Sequence, residues 1–166
     1  SKTKAIIPVH VTGRPADMEN IIYIAQKYEL NIVEDAAEAF MSKYNGKYLG
    51  TFGDTGCFSF SPNKIITTGQ GGIIITDDEE IHLCLRELKD QGRPVRGTGG
   101  DDIHNSRGYN FKFTNVQAAL GLGQLSYLND RITRLIRTHK IYLEKLQNID
   151  GLQVLPFNVN DGELPL

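Results

Sequence analysis

With 166 residues, 40% of them apolar and 23% charged, the chain can bury the core of one ordinary domain. Its longest apolar runs, such as GGIII, are far too short to cross a bilayer, and a net charge of −2 with Lys and Arg spread along the sequence offers no patch for nucleic acid or an anionic membrane surface. Cys57 and Cys84 fall in an apolar strand and on an apolar helix face, which reads as reduced core cysteine in a cytoplasmic protein, not a disulfide framework or a metal site.

Ser1 to Lys4 lack a leader pattern and run straight into AIIPV, a short β-type run at Ala5 to Val9 stopped by His10 and Gly13; the chain is expected to begin inside a domain. Pro15 and Asp17 open a helix predicted over 17–29, with Ile21, Ile24, Ala25 and Tyr28 as its apolar stripe. Asn31 to Glu34 resumes as a strand. Strand, helix and strand within about thirty residues form a βαβ unit, whose strands must be parallel and whose crossover is right-handed. Lys43 to Leu49 predicts a small hairpin around Asn45-Gly46, and strands at Gly56 to Phe60 and Gly72 to Thr76 flank a turn that holds Lys64.

Asp77 or Asp78 can cap the next helix, with a stripe of Ile81, Cys84, Leu85 and Leu88. Gly92 to Gly108 is rich in Gly and Arg and reads as a long loop of the kind kept for function. Thr114 and Gln117 form a capping-box pattern that starts one long helix reaching about Gln147, bent near Gly121 and Gly123. After Asp150-Gly151, LQVLPF predicts a new strand with no partner left in the chain.

Three residues point to chemistry. Lys64 follows a strand, sits among small and hydroxylated residues and precedes TTGQGG, whose glycines allow close approach of a ligand or backbone. A loop lysine is ordinarily solvated, but a desolvated one becomes the amine nucleophile that forms a Schiff base. Asp35 either caps a helix over AAEAF or stands at the carboxyl end of a parallel strand, where open α/β sheets bind ligands and where it would hold a pyridine nitrogen protonated. Ser59 is either a solvent-facing residue of CFSFS or a phosphate donor on the face opposite Phe58 and Phe60. A lysine, an acid and a hydroxyl at the ends of adjacent strands suggest a pyridoxal phosphate site. GQGG leads into a strand instead of opening a helix, so no dinucleotide fingerprint is present. His10, His82, His104 and His139 lack metal-ligand spacing, His82 and His139 being expected on helix surfaces, and no metal site is expected.

Four ordered blocks, PVHVTGRPADM, VEDAAEAF, FGDTGCFSFSPNKIITTGQGG and GYNFKFTNVQAALGLGQL, resemble the signatures of the DegT/DnrJ/StrS family of sugar-nucleotide aminotransferases, most of all its perosamine synthase-like members. The resemblance implies an α/β fold: the large domain of a fold-type-I pyridoxal phosphate-dependent transferase, in part, with a mostly parallel central sheet and flanking helices. It implies a homodimer with cofactor sites at the subunit interface, Lys64 as the Schiff-base lysine, Asp35 as the pyridinium partner and Ser59 as a phosphate ligand. Asn110 matches an asparagine that reaches the phosphate of the neighbouring subunit's cofactor. Glu38 stands where many members have glutamine near the ring hydroxyl; an ionised Glu38 would repel a phenolate oxygen, so it should be protonated, turned away or aimed at substrate. Lysine at 64 also matters because dehydratase relatives have histidine there.

Two departures concern substrate fit: Phe40-Met41 replaces a small or polar pair that often includes Gly, and Gln70 stands where the family reads TTGEGG. The resemblance further implies a fragment, with residues 1–150 part of the cofactor-binding large domain and 151–166 the start of the small C-terminal domain. The expected activity of the parent protein is transfer of an amino group, from glutamate by family analogy, to a nucleotide-linked keto-deoxy sugar. The alternative is a catalytically incompetent piece that only folds or associates through apolar faces. A lyase on the same fold would need a different lysine-turn motif.

Overall fold

The structure, a computed structural model, describes residues 2–94 and 103–166. The centre of the 92–108 loop, with its GTGG cluster, lies outside the described residues.

Strand β1 (Ala5–Ile6) pairs in parallel with β2 (Asn31–Asp35), and an isolated parallel bridge from Val9 to Asp35 prolongs the pairing. Between them runs α1 (Met18–Tyr28). Asp17 caps it by accepting from the Asn20 N–H, and Glu29 ends it in the left-handed region at φ 52°. The face it buries is Met18, Ile21, Ile22 and Ala25, packed on Ile6 and Ile32. Ile24 and Tyr28, expected in the stripe, are exposed. The buried face keeps the i, i+3, i+4, i+7 rule from Met18 and leaves those two off its side.

The hairpin forms as the Asn-Gly pair dictates, with β3 (Lys43–Tyr44) antiparallel to β4 (Lys47–Tyr48) and positive φ at both Asn45 and Gly46. Strand β5 (Thr55–Ser59) then pairs in parallel with β2, setting Asp35 beside Cys57, and β6 (Gly72–Ile75) closes the sheet antiparallel to β5. The order β1-β2-β5-β6 is a mostly parallel sheet, as the resemblance implies, with an antiparallel edge strand that the sequence leaves unspecified.

Helix α2 (Glu79–Lys89) is capped by Asp78, whose carboxylate accepts from the Ile81 N–H. Its Cys84 is exposed, not a core residue, because the helix turns that flank outward. The Thr114–Gln117 capping box starts α3 (Asn115–Leu125), but the single long helix expected here is two: the chain breaks at Ser126–Tyr127 and restarts as α4 (Leu128–Leu146). The break buries Leu128. Gly121 does not bend the helix; a Cβ there would sit 3.2 Å from the Thr68 methyl, so glycine serves close approach to the lysine loop.

No strand forms at 152–157. Pro156 has no N–H to give a ladder, and the Leu155 and Pro156 carbonyls are taken by the Arg14 guanidinium at 3.1 and 3.4 Å, which also stacks 3.7 Å from the centre of the Phe157 ring. His139 meets Phe157 edge to face, so it is half-buried and not a surface residue; burial, and then the charge of Arg14, make it less basic than usual. Further on, the Leu164 N–H donates to the buried Ser42 hydroxyl and the Lys43 N–H to the Gly162 carbonyl. Residues 155–166 are thereby docked against the turn at Val11–Gly13.

Candidate active site

Just before the end of β2 lies a buried acid–imidazole pair that does not line the cavity holding Lys64. Glu34 and His10 are both fully buried, 3.0 Å apart. His10 Nδ1 accepts from the Ala16 N–H, so Nε2 carries the proton given to Glu34. The Glu34 carboxylate also accepts the N–H groups of Gly50, Phe52 and Gly53. Burial pushes its pKa up, but the His10 bond and the three backbone donors outweigh it and hold Glu34 below the ordinary carboxylate value.

One residue further, β2 ends at Asp35. No helix follows: AAEAF forms turns, with Ala39 N–H bonded to the Ala36 carbonyl and Ser42 N–H to the Ala39 carbonyl. The helix-cap reading of Asp35 is thus corrected to a local turn, in which Oδ1 accepts from the Ala37 N–H at 3.1 Å. Among the described residues Oδ2 accepts no hydrogen bond. Burial first, and the Asp35 charge second, raise the pKa of the neighbouring Cys57 thiol. Ala36 and Ala39 are fully buried where larger side chains would not fit, and Met41 takes φ 70°, a conformation that suits the glycine often expected there. The other departure, Gln70, bears no structural load through its side chain; only its carbonyl is used, by Thr68 and Gln117.

Lys64 lies in the loop between β5 and β6. The loop is closed at its base by Phe60 N–H to the Gly71 carbonyl and Thr68 N–H to the Phe60 carbonyl, and Lys64 itself follows a turn bonded to the Ser61 carbonyl. Gln124 grips Thr67 on both its N–H and its carbonyl, and Arg131 donates to the Ile65 carbonyl at 2.6 Å and to Gln124 at 2.8 Å. The lysine loop is therefore pinned from both helices flanking the break at 126–127.

The Lys64 side chain is 17% exposed, with Nζ 3.4 Å from Glu38 Oε1. Glu38 Oε2 accepts the N–H of Thr12, a residue in the left-handed region at φ 53°. First that N–H and then Lys64 hold Glu38 below the ordinary carboxylate value, and its carboxylate is turned to Lys64 and the Thr12 turn. Ser59 is half-buried beside the lysine, its hydroxyl 2.9 Å from that of Ser61.

A cavity of about 390 Å³ gathers Lys64, Glu38, Ser59, Asn63, Thr12 and one face of α4. Asp35 does not line it; Ala37, which takes the Asp35 hydrogen bond, does. Asn110 is exposed, bridged to Asp90 at the end of α2, and is not brought to this cavity. Reasoning from sequence missed the Glu34–His10 pair, the Thr12 N–H, and Gln124 and Arg131. The alternation of β2 could have found the first, since Glu34 falls on the same buried face as Ile32.

These residues fit pyridoxal phosphate. A scarcely hydrated amine opens on a cavity at the low end of the range for small-molecule sites, with a hydroxyl and an amide beside it and an aspartate with one uncommitted oxygen at the adjoining strand end. The fold is that of the fold-type-I pyridoxal phosphate-dependent transferases: the aminotransferase TlmJ of Streptoalloteichus hindustanus superposes with a TM-score of 0.86 at 30% identity, over 94% of this chain and 42% of that one. The chain belongs to the DegT/DnrJ/EryC1/StrS aminotransferase family, whose sequence pattern matches residues 1–163. It is 44% identical over 149 residues to a GDP-perosamine synthase of Escherichia coli O157:H7, covering 90% of this chain and 40% of that protein. A UDP-N-acetyl-3-dehydro-alpha-D-glucosamine 3-aminotransferase of Acidithiobacillus ferrooxidans is 38% identical over 150 residues, covering 90% and 39%. The chain thus spans about two fifths of the length of these curated relatives.

Proposed function

We propose that the protein carrying this chain is a pyridoxal phosphate-dependent aminotransferase that moves an amino group from an amino acid, glutamate by family analogy, to a keto-deoxy sugar borne on a nucleotide. The observation that supports this most is the Lys64 amine, poorly hydrated on a cavity in a chain whose named relatives act on nucleotide sugars. The cofactor supplies an aldehyde that captures amines and a ring that withdraws electrons when its nitrogen is protonated. Lys64 would hold it, Asp35 would keep the ring nitrogen protonated, and Ser59 would donate to the phosphate. Lys64 Nζ, once free, is the base placed to take the proton from the donor's α-carbon. Glu38, held by the Thr12 N–H, keeps that amine in one place while it is free.

Asn110, exposed and away from the cavity, suits a role toward the cofactor of a second subunit, and a homodimer belongs to this proposal. So do the division into a cofactor-binding part at 1–150 and the beginning of a second domain at 151–166, and a cytoplasmic setting with Cys57 and Cys84 as free thiols. Lys64→Ala in the full protein should abolish both the visible absorbance of bound cofactor and turnover; normal turnover in that variant contradicts the assignment.

A second reading has its own observation. Ile73, Ile74, Val116, Leu120 and Leu122 are 46–72% exposed, more apolar surface than a self-sufficient domain leaves bare, so the isolated chain would fold or associate without catalysing. Titration of the chain alone with pyridoxal phosphate separates the two: tight uptake favours the first, none the second.

A further inference from the structure

The charges on the Lys64 cavity do not cancel. Glu38 and Lys64 neutralise each other at 3.4 Å. Arg131 spends its guanidinium on the Ile65 carbonyl and on Gln124, as a strut of the lysine loop. One turn along the same face of α4, Arg134 lines the cavity and, among the described residues, makes no hydrogen bond or ion pair; Asp130, one turn before it, does not pair with it. Helical spacing explains the placement, since residues 131, 134, 135 and 138 recur at three and four and all four line the cavity. Arg134 therefore stands, exposed, on the rim of the cavity that holds Lys64. The cavity retains net positive charge, with one planar fork of donors unspent.

From this we infer that Arg134 is a specificity residue that receives the oxyanion group of a substrate. A guanidinium matches carboxylate or phosphate oxygens in paired hydrogen bonds. The inference rests on the aminotransferase proposal for the identity of that anion. Two sources share the chemistry: the carboxylate of the amino donor and the diphosphate of the nucleotide-linked acceptor.

The test is calorimetric binding of two probes, glutarate and inorganic pyrophosphate, to the full protein with and without pyridoxal phosphate, using the unchanged protein, Arg134→Gln and Arg134→Lys. An exposed residue with no partners leaves the melting temperature unchanged when replaced, which checks that the variants are folded. Arg134→Gln should weaken at least one probe tenfold or more, and Arg134→Lys should weaken it less. Loss confined to glutarate assigns the donor carboxylate, and loss confined to pyrophosphate assigns the diphosphate. A change under twofold for both probes, or no binding of either to the unchanged protein, overturns the inference. Failure to take up pyridoxal phosphate counts instead against the aminotransferase proposal, because the probes are also titrated without it.

Discussion

Glu34 shows how much one residue can decide. It is a fully buried carboxylate with four N–H donors, and those donors, not the cavity, are what it serves. Glu34→Ala would strand the His10 Nε2–H and three backbone N–H groups in the interior, at a cost of roughly 3–5 kcal/mol by comparison with other broken buried pairs. A urea midpoint for that variant within error of the unchanged chain would contradict the count. The pH dependence follows in sign. Because the folded-state pKa of Glu34 lies below its ordinary value of 4.5, its contribution is fully present above that value and is lost as pH falls through the lower, folded one. The melting temperature should drop in that acid window, and Glu34→Gln should flatten the drop. Lys64 is the opposite case: its burial is partial and its carboxylate partner is 44% exposed, so little stability hangs on the pair and its value is positional.

The elements that were legible in the sequence are those whose signals are local. Asp17, Asp78 and the Thr114–Gln117 box each mark a helix start through a side chain that bonds a backbone N–H three residues on, and Asn45-Gly46 fixes its hairpin by positive φ alone. What was not legible depends on distant partners. LQVLPF has the composition of a strand, yet two of its carbonyls are claimed by a guanidinium 141 residues or more away in sequence, and the helix that Gln124 and Arg131 pin to the lysine loop breaks between them at 126–127 with no Pro or Gly at the break to mark it. The same limit holds in the site: Lys64, Ser59 and Glu38 could be named from motifs, whereas Arg134 gains meaning only once α4 lies against the cavity. Gly13 tests the docking of the C-terminal segment. Its φ is +89°, and a Cβ built there falls 1.9 Å from the Leu164 carbonyl oxygen, so Gly13→Ala must either shift the turn or release the segment. Proteolysis should cut within 155–166 of that variant first; equal resistance in both proteins would show that the docking is not as described.

At the scale of the molecule, three parallel strands bring their carboxyl ends, Asp35 and Ser59 among them, to one edge, which is where open α/β sheets place ligands. The antiparallel strand β6 returns the chain beside them, so the lysine loop is a long connection tied at its base and pinned by two helices. Around this frame the apolar faces of β6 and α3 lie open. Relatives of more than twice the chain's length share the frame, which makes the lysine, not those faces, the feature on which the functional account turns. The most direct measurement is chemical trapping: the full protein is incubated with pyridoxal phosphate, reduced with borohydride, digested and mapped by mass spectrometry. The account predicts one stable adduct on the peptide holding Lys64, absent from the Lys64→Ala protein. An adduct spread over surface lysines, or one that persists elsewhere when Lys64 is replaced, would contradict it.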